Sequence, residues 1–136
     1  MIRVLLVDDH DAVLEGLAGL LRGEPDIELV AAVRDGQAAL ASARQSRPDV
    51  VIMDAAMRGM NGAEVTRRIL RDLPGVRVIA LSMHTDPDLI DEMRRAGAEE
   101  YLDKAGPYED LLAVVRRRAA RGAPPGAEKT GTPTRG

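Results

Sequence analysis

Apolar and polar positions fall into two alternating patterns along this chain. Short unbroken apolar runs, of which Val4-Leu5-Leu6-Val7 and Val50-Val51-Ile52-Met53 are the cleanest, stop abruptly at carboxylates. Runs of this length, rich in branched residues and without core-to-solvent alternation, predict strands covered on both faces of a parallel sheet. Between them the spacing turns helical, first at Val13, Leu14, Leu17, Leu20 and Leu21, with Gly23-Glu24-Pro25-Asp26 as the stop. Residues 27–33 read as a second strand, more polar than the first and so placed at an edge. Asp35-Gly36 opens an alanine-rich helix that carries Leu40 and ends near Ser46-Arg47-Pro48, because a residue before proline resists helical geometry.

The third strand ends at Asp54. Residues 55–62 show no period and finish in Asn61-Gly62, which predicts a loop hanging directly from that acid. Val65, Ile69 and Leu73 mark a third helix closed by Pro74-Gly75, and residues 76–81 a fourth strand ending at Ser82. Asp86-Pro87 starts a fourth helix with an N-cap acid and a first-turn proline; it carries Leu89, Ile90 and Met93 and stops at Gly97. Residues 99–102 form a short fifth strand leading to Asp103-Lys104, and Pro107 begins a last helix through Leu111, Leu112 and Val115 to about Arg121. Five βα units predict an α/β three-layer sandwich, a parallel sheet with helices on both faces. The flavodoxin-like strand order 2-1-3-4-5 sets strands one and three side by side. Residues 1–121 make one domain, and the Gly, Pro and Thr of residues 122–136 read as a flexible linker or tail.

Composition narrows the picture. With no Phe, Trp or Cys among 136 residues, the core is aliphatic, and neither a disulfide framework nor thiolate chemistry is available. The net charge of −3 gives no long-range attraction to nucleic acid or anionic membrane. Arg116-Arg117-Arg118 and Arg121 are explained as cations complementing a helix C-terminus. The N-terminal apolar run is four residues long and meets two acids, so it is neither a signal peptide nor a membrane span. A cytoplasmic location is the expectation.

The candidate chemistry lies at the strand ends. Ligands of open α/β sheets bind outside the carboxyl ends of the strands, so Asp8, Asp9 and Asp54 form one acidic pocket if strands one and three are neighbours. Helix capping or solvation accounts for one such acid, but not for three together with Ser82 and Lys104 at successive strand ends. Three carboxylates repel one another unless a cation is present, and hard oxygen donors point to Mg²⁺. Lys104 and the Ser82 hydroxyl can then hold an incoming phosphoryl group, with Asp54 as the nucleophile. His10 and His84 sit in loops beside this pocket as exposed tuning positions, while Met57, Met60 and Met83 are aliphatic filler near its rim. An aspartyl-nucleophile phosphatase would want a second acid two residues past Asp54, where Ala56 stands. A flavin binder would want a phosphate cradle after the first strand, where Asp8-Asp9-His10-Asp11 repels phosphate.

This series of strand-end residues, over residues 1 to about 121, resembles the receiver domains of bacterial two-component response regulators. Val7-Asp8-Asp9-His10, Ala80-Leu81-Ser82-Met83-His84 and Gly97-Ala98-Glu99-Glu100-Tyr101-Leu102-Asp103-Lys104 look most like its NarL/FixJ (LuxR-type) branch. The resemblance implies a non-enzymatic switch. It makes Asp54 the phosphoacceptor, Asp9 a direct Mg²⁺ ligand, Asp8 an acid that holds the metal through water, and the backbone carbonyl of Ala56 a third protein ligand. Ser82 becomes the hydroxyl that turns toward the phosphoryl group, Lys104 its cation, and Tyr101 the aromatic whose rotamer follows activation. It further implies a sensor histidine kinase as donor, phosphorylation-dependent homodimerisation through the first and last helices, and DNA contact only through an output domain absent from this chain; the alternative is a stand-alone receiver that acts by protein–protein interaction or as a phosphorelay intermediate. The sequence departs from the family at Ala55, where a large apolar residue is usual, and at Arg58 and Ala105, where proline is frequent. These changes leave the charges of the pocket intact.

Overall fold

A computed structural model describes residues 1–83 and 86–121. His84 and the predicted tail, residues 122–136, lie outside the described residues. The elements run β1 (Ile2–Val7), α1 (Asp11–Arg22), β2 (Ile27–Val33), α2 (Gly36–Ser46), β3 (Val50–Asp54), α3 (Gly62–Asp72), β4 (Arg77–Ser82), α4 (Pro87–Ala96), β5 (Glu100–Asp103) and α5 (Tyr108–Arg121). The five strands are parallel and lie in the order β2-β1-β3-β4-β5, as expected.

The unbroken apolar runs are explained by burial on both faces. On one face Leu5, Val7, Val51, Met53, Val78 and Ala80 pack with α2, α3 and α4 through Leu40, Val65, Ile69 and Met93. On the other, Val4, Leu6, Val50, Ile52, Ile79 and Leu81 pack with α1 and α5 through Leu14, Leu21, Leu111 and Val115. Neighbouring residues of one strand thus serve opposite cores, each fully buried aliphatic side chain contributing on the order of 1.5–3 kcal/mol. β2, the edge strand, is half-buried along most of its length.

Local signals set the helix ends. The side chain of Asp35 accepts from the N–H of Ala38, Asn61 from Glu64 and Asp86 from Asp88. Gly97 caps α4 at φ 116°, the left-handed region that glycine enters without a Cβ penalty. Two strands sit one residue later than their apolar runs suggested. Val76 donates to the Leu73 carbonyl and closes a turn, so β4 begins at Arg77. Asp103 pairs with Ser82, which extends β5 past Leu102. Among the described residues every peptide bond is trans, and no helix is long and apolar enough to cross a membrane.

Candidate functional site

Sheet register brings the strand-end residues together. Val7 lies opposite Met53, which sets Asp8 beside Asp54; Asp54 lies opposite Leu81, and Ser82 opposite Asp103. Three backbone bonds hold the rim where the strands end. Asp8 N–H donates to Val33 O at 3.0 Å, Ala55 N–H to Leu81 O at 2.8 Å, and Lys104 N–H to Ser82 O at 2.8 Å. Asp8, Asp54 and Ser82 are buried, and ligand atoms of Asp8, Asp9, His10 and Asp54 all lie within 4.8 Å of one another.

The charges interlock. Lys104 Nζ stands 2.9 Å from Asp8 Oδ2 and 3.1 Å from Asp54 Oδ2, with all three side chains buried. Asp54 Oδ1 accepts the N–H of Ala56 at 3.0 Å, folding the following loop back over the acid. Burial pushes the Asp54 carboxyl above its ordinary range; the Ala56 N–H opposes this, the charge of Asp8 adds to it, and Lys104 works against it. Asp9 goes the other way. Burial pulls it upward, but the N–H of Arg58, the charge of His10, a hydrogen bond with Asp54 and the Arg58 guanidinium together hold it below the ordinary range.

Two residues enter the cluster more closely than their loop positions suggested. His10 is the N-cap of α1 yet makes no side-chain cap bond, because its ring turns to the acids: Nδ1 lies 3.1 Å from Asp8 Oδ1, 3.3 Å from Asp9 Oδ1 and 3.2 Å from Lys104 Nζ. Its position directly after Asp8-Asp9 was the available signal. Arg58 donates its N–H to Asp9 Oδ2 at 3.0 Å, and its Nε stands 3.6 Å from the same oxygen. A lone cation in an aperiodic loop offered no pattern that pointed to this contact. The methionines divide: Met57 is buried, Met60 is half-buried against the α2/α3/α4 core, and Met83 is exposed. Tyr101 is half-buried on β5, opposite Ala80, and packs on the same core.

The donor set fits a hard divalent cation. Three carboxylates converge on one point, and Asp9 Oδ1 is a buried oxygen without a hydrogen-bond partner among the described residues.

Comparison with known proteins gives a consistent answer. The family described as "Response regulator receiver domain" matches residues 4–116. The chain is 40% identical over 124 residues to "Transcriptional regulatory protein LiaR" of Bacillus subtilis (strain 168), covering 91% of this chain and 58% of LiaR. It is 37% identical over 116 residues to "Response regulator UvrY" of Escherichia coli (strain K12), covering 85% of this chain and 53% of UvrY. It therefore spans about half the length of these curated relatives. Among solved structures it is similar to a two-component response regulator of the LuxR family from Aurantimonas sp. SI85-9A1, with a TM-score of 0.78, 33% identity, and coverage of 87% of this chain and 85% of that one.

Proposed function

The chain belongs to the response regulator receiver domain family, on its NarL/FixJ branch, and from that premise we propose that Asp54 takes a phosphoryl group from a sensor histidine kinase. The observation that carries the reading is the position of Lys104, a buried ammonium 3.1 Å from Asp54 Oδ2 and 2.9 Å from Asp8 Oδ2. A cation held there keeps a desolvated carboxylate ionised for attack and offers charge to the oxygens of an arriving phosphoryl group. In the transfer, an Asp54 carboxylate oxygen forms a bond to phosphorus as the phosphorus–nitrogen bond of the donor's phosphohistidine breaks. The departing imidazole takes up a proton. Ser82, buried at the end of β4, donates its hydroxyl to the new phosphoryl group, and Tyr101 follows by changing rotamer.

Asp8, Asp9, Asp54 and the backbone carbonyl of Ala56 would hold Mg²⁺. When bound, the ion neutralises the mutual repulsion of the acids and the charge of the phosphoryl oxygens. The output we infer is transcriptional and cytoplasmic, with DNA contacted through a domain beyond this chain and with a homodimer as the active form. The name of LiaR, a transcriptional regulatory protein, and the partial coverage of LiaR and UvrY support the transcriptional part of this reading.

The test is covalent labelling. With acetyl phosphate and Mg²⁺ the chain gains one phosphoryl group, labile to base and hydroxylamine, and Asp54→Asn gains none. Equal labelling of the two proteins by mass would remove Asp54 from the role.

A further inference from the structure

We infer that Arg58 is a tethered cation that competes with the divalent ion for Asp9 and so raises the metal concentration the site needs; this rests on the metal reading above. The three acids are not neutralised alike. Asp8 and Asp54 share Lys104, whose side chain is only 1% exposed and therefore fixed in place. Asp9 is less enclosed, its side chain 14% exposed; His10 Nδ1 lies 3.3 Å from its Oδ1, and on its Oδ2 side stands the guanidinium of Arg58, 92% exposed. The two contacts of Arg58 have different consequences. Its backbone N–H, at 3.0 Å, orients the carboxylate by holding Oδ2 and leaves Oδ1, which has no hydrogen-bond partner among the described residues, facing the cluster. A proline at this place would have no N–H and could not do so. The guanidinium, with Nε 3.6 Å from that same Oδ2, supplies a positive charge where a second cation has to bind.

A divalent ion meeting Asp9 must displace or tolerate that charge. Because the side chain is almost wholly in water, the contact is weak, and the handicap amounts to a few-fold in affinity and not to exclusion. The effect is a threshold built into the loop after the acceptor strand. It has the salt dependence of an exposed pair, since the screening length falls to about 8 Å at physiological ionic strength and to about 3 Å at 1 M.

Mg²⁺ binding measured by calorimetry on the whole chain, without phosphoryl donor, tests this apart from phosphorylation; Mn²⁺ counted by paramagnetic resonance is the second probe. Arg58→Ala should bind about threefold to fivefold more tightly than the wild type, Arg58→Glu more tightly still, and Arg58→Lys nearly as the wild type does. Added NaCl should shrink the gap between Arg58→Ala and the wild type. An affinity that is flat across the charge series, or weakened by Arg58→Ala, overturns the inference. Asp9→Asn run in parallel separates the two levels. If it loses Mg²⁺ while the Arg58 series is flat, the metal site stands and the competition falls. If it binds Mg²⁺ as the wild type does, Asp9 is no ligand and both fall.

Discussion

At the scale of single residues, the dominant fact is how poorly three carboxylates and a lysine balance. Asp54 is buried beside Asp8, and its carboxyl is raised above the ordinary range by burial first, with the charge of Asp8 adding. For a raised acid the sign is definite: stability is fully present below its unfolded value and is lost as pH rises through the folded one. At neutral pH and without metal, the ionised Asp54 therefore works against folding. Asp54→Asn should unfold at a higher temperature than the wild type in chelator, and Mg²⁺ should stabilise the variant less than the wild type. A calorimetric scan of both proteins with and without Mg²⁺ checks this; a lower midpoint for the variant in chelator would mean that the bond to Lys104 outweighs the burial. The identities of these acids were legible in the sequence because each ends an apolar run. The ring of His10 over the cluster and the reach of Arg58 to Asp9 were not, since both depend on where two loops meet in space.

At the scale of elements, the strands were most legible in β1, β3 and β4, whose aliphatic runs must lie between two layers of helices. What the apolar pattern hid was a polar tie beneath α5. Arg77, the first residue of β4, is 2% exposed; its Nε meets Glu99 Oε2 at 2.8 Å and one terminal nitrogen donates to the Val114 carbonyl at 3.3 Å. Read by pattern, Arg77 is a polar interruption near the start of the fourth strand, yet it fills core volume beneath α5. Truncation removes volume and bond together, so Arg77→Ala should cost about 2–4 kcal/mol, whereas Arg77→Met, which keeps the stem, should cost about 1 kcal/mol or less. Urea titration of the two variants decides it, and equal losses would show that the ion pair and not the packing carries the contact. A second tie joins α5 to the turn between α1 and β2. Arg116 meets Asp26 through two bonds of 2.9 Å and Glu24 through one of 2.7 Å. The bond from Arg116 lowers the Asp26 carboxyl from its ordinary value of 3.8. A lowered acid contributes stability above its unfolded value and loses it as pH falls through the folded one. Asp26→Asn should thus be less stable than the wild type at pH 7, and the difference should close as the pH is taken below 3.8. A gap that persists in acid would assign the loss to packing.

At the scale of the whole molecule, the question is which face a phosphorylated copy presents to another. A phosphoryl group at Asp54 would add negative charge and acceptor oxygens beside Ser82 and Lys104, drawing the loop after β4 inward and moving the surface around α4 and β5. Yet the side of the fold formed by α1 and α5 has an exposed apolar residue on a helix, whereas the α4 side has Met83 in a loop. Leu111, Leu112, Val114 and Val115 of α5 are consumed by the core, whereas Leu20 of α1 is 49% exposed, with Val13 and Leu17 half-buried on the same helix. Gly16 and Gly19 have open space where a Cβ would stand, so a second helix can approach α1 closely. One leucine fully buried contributes roughly 1.5–3 kcal/mol, while association costs at least about 4 kcal/mol in lost freedom. The dimer should therefore be weak, absent at micromolar concentration without phosphoryl and promoted by a phosphoryl mimic. Leu20→Lys should abolish the promoted association, while charge reversal at Arg94 and Arg95 on α4 should leave it intact. Sedimentation of the wild type and both variants, with and without the mimic, separates the two surfaces. Loss in the α4 variant alone would move the interface to α4, β5 and α5. A monomer in every sample would mean that this receiver signals by releasing or recruiting another domain.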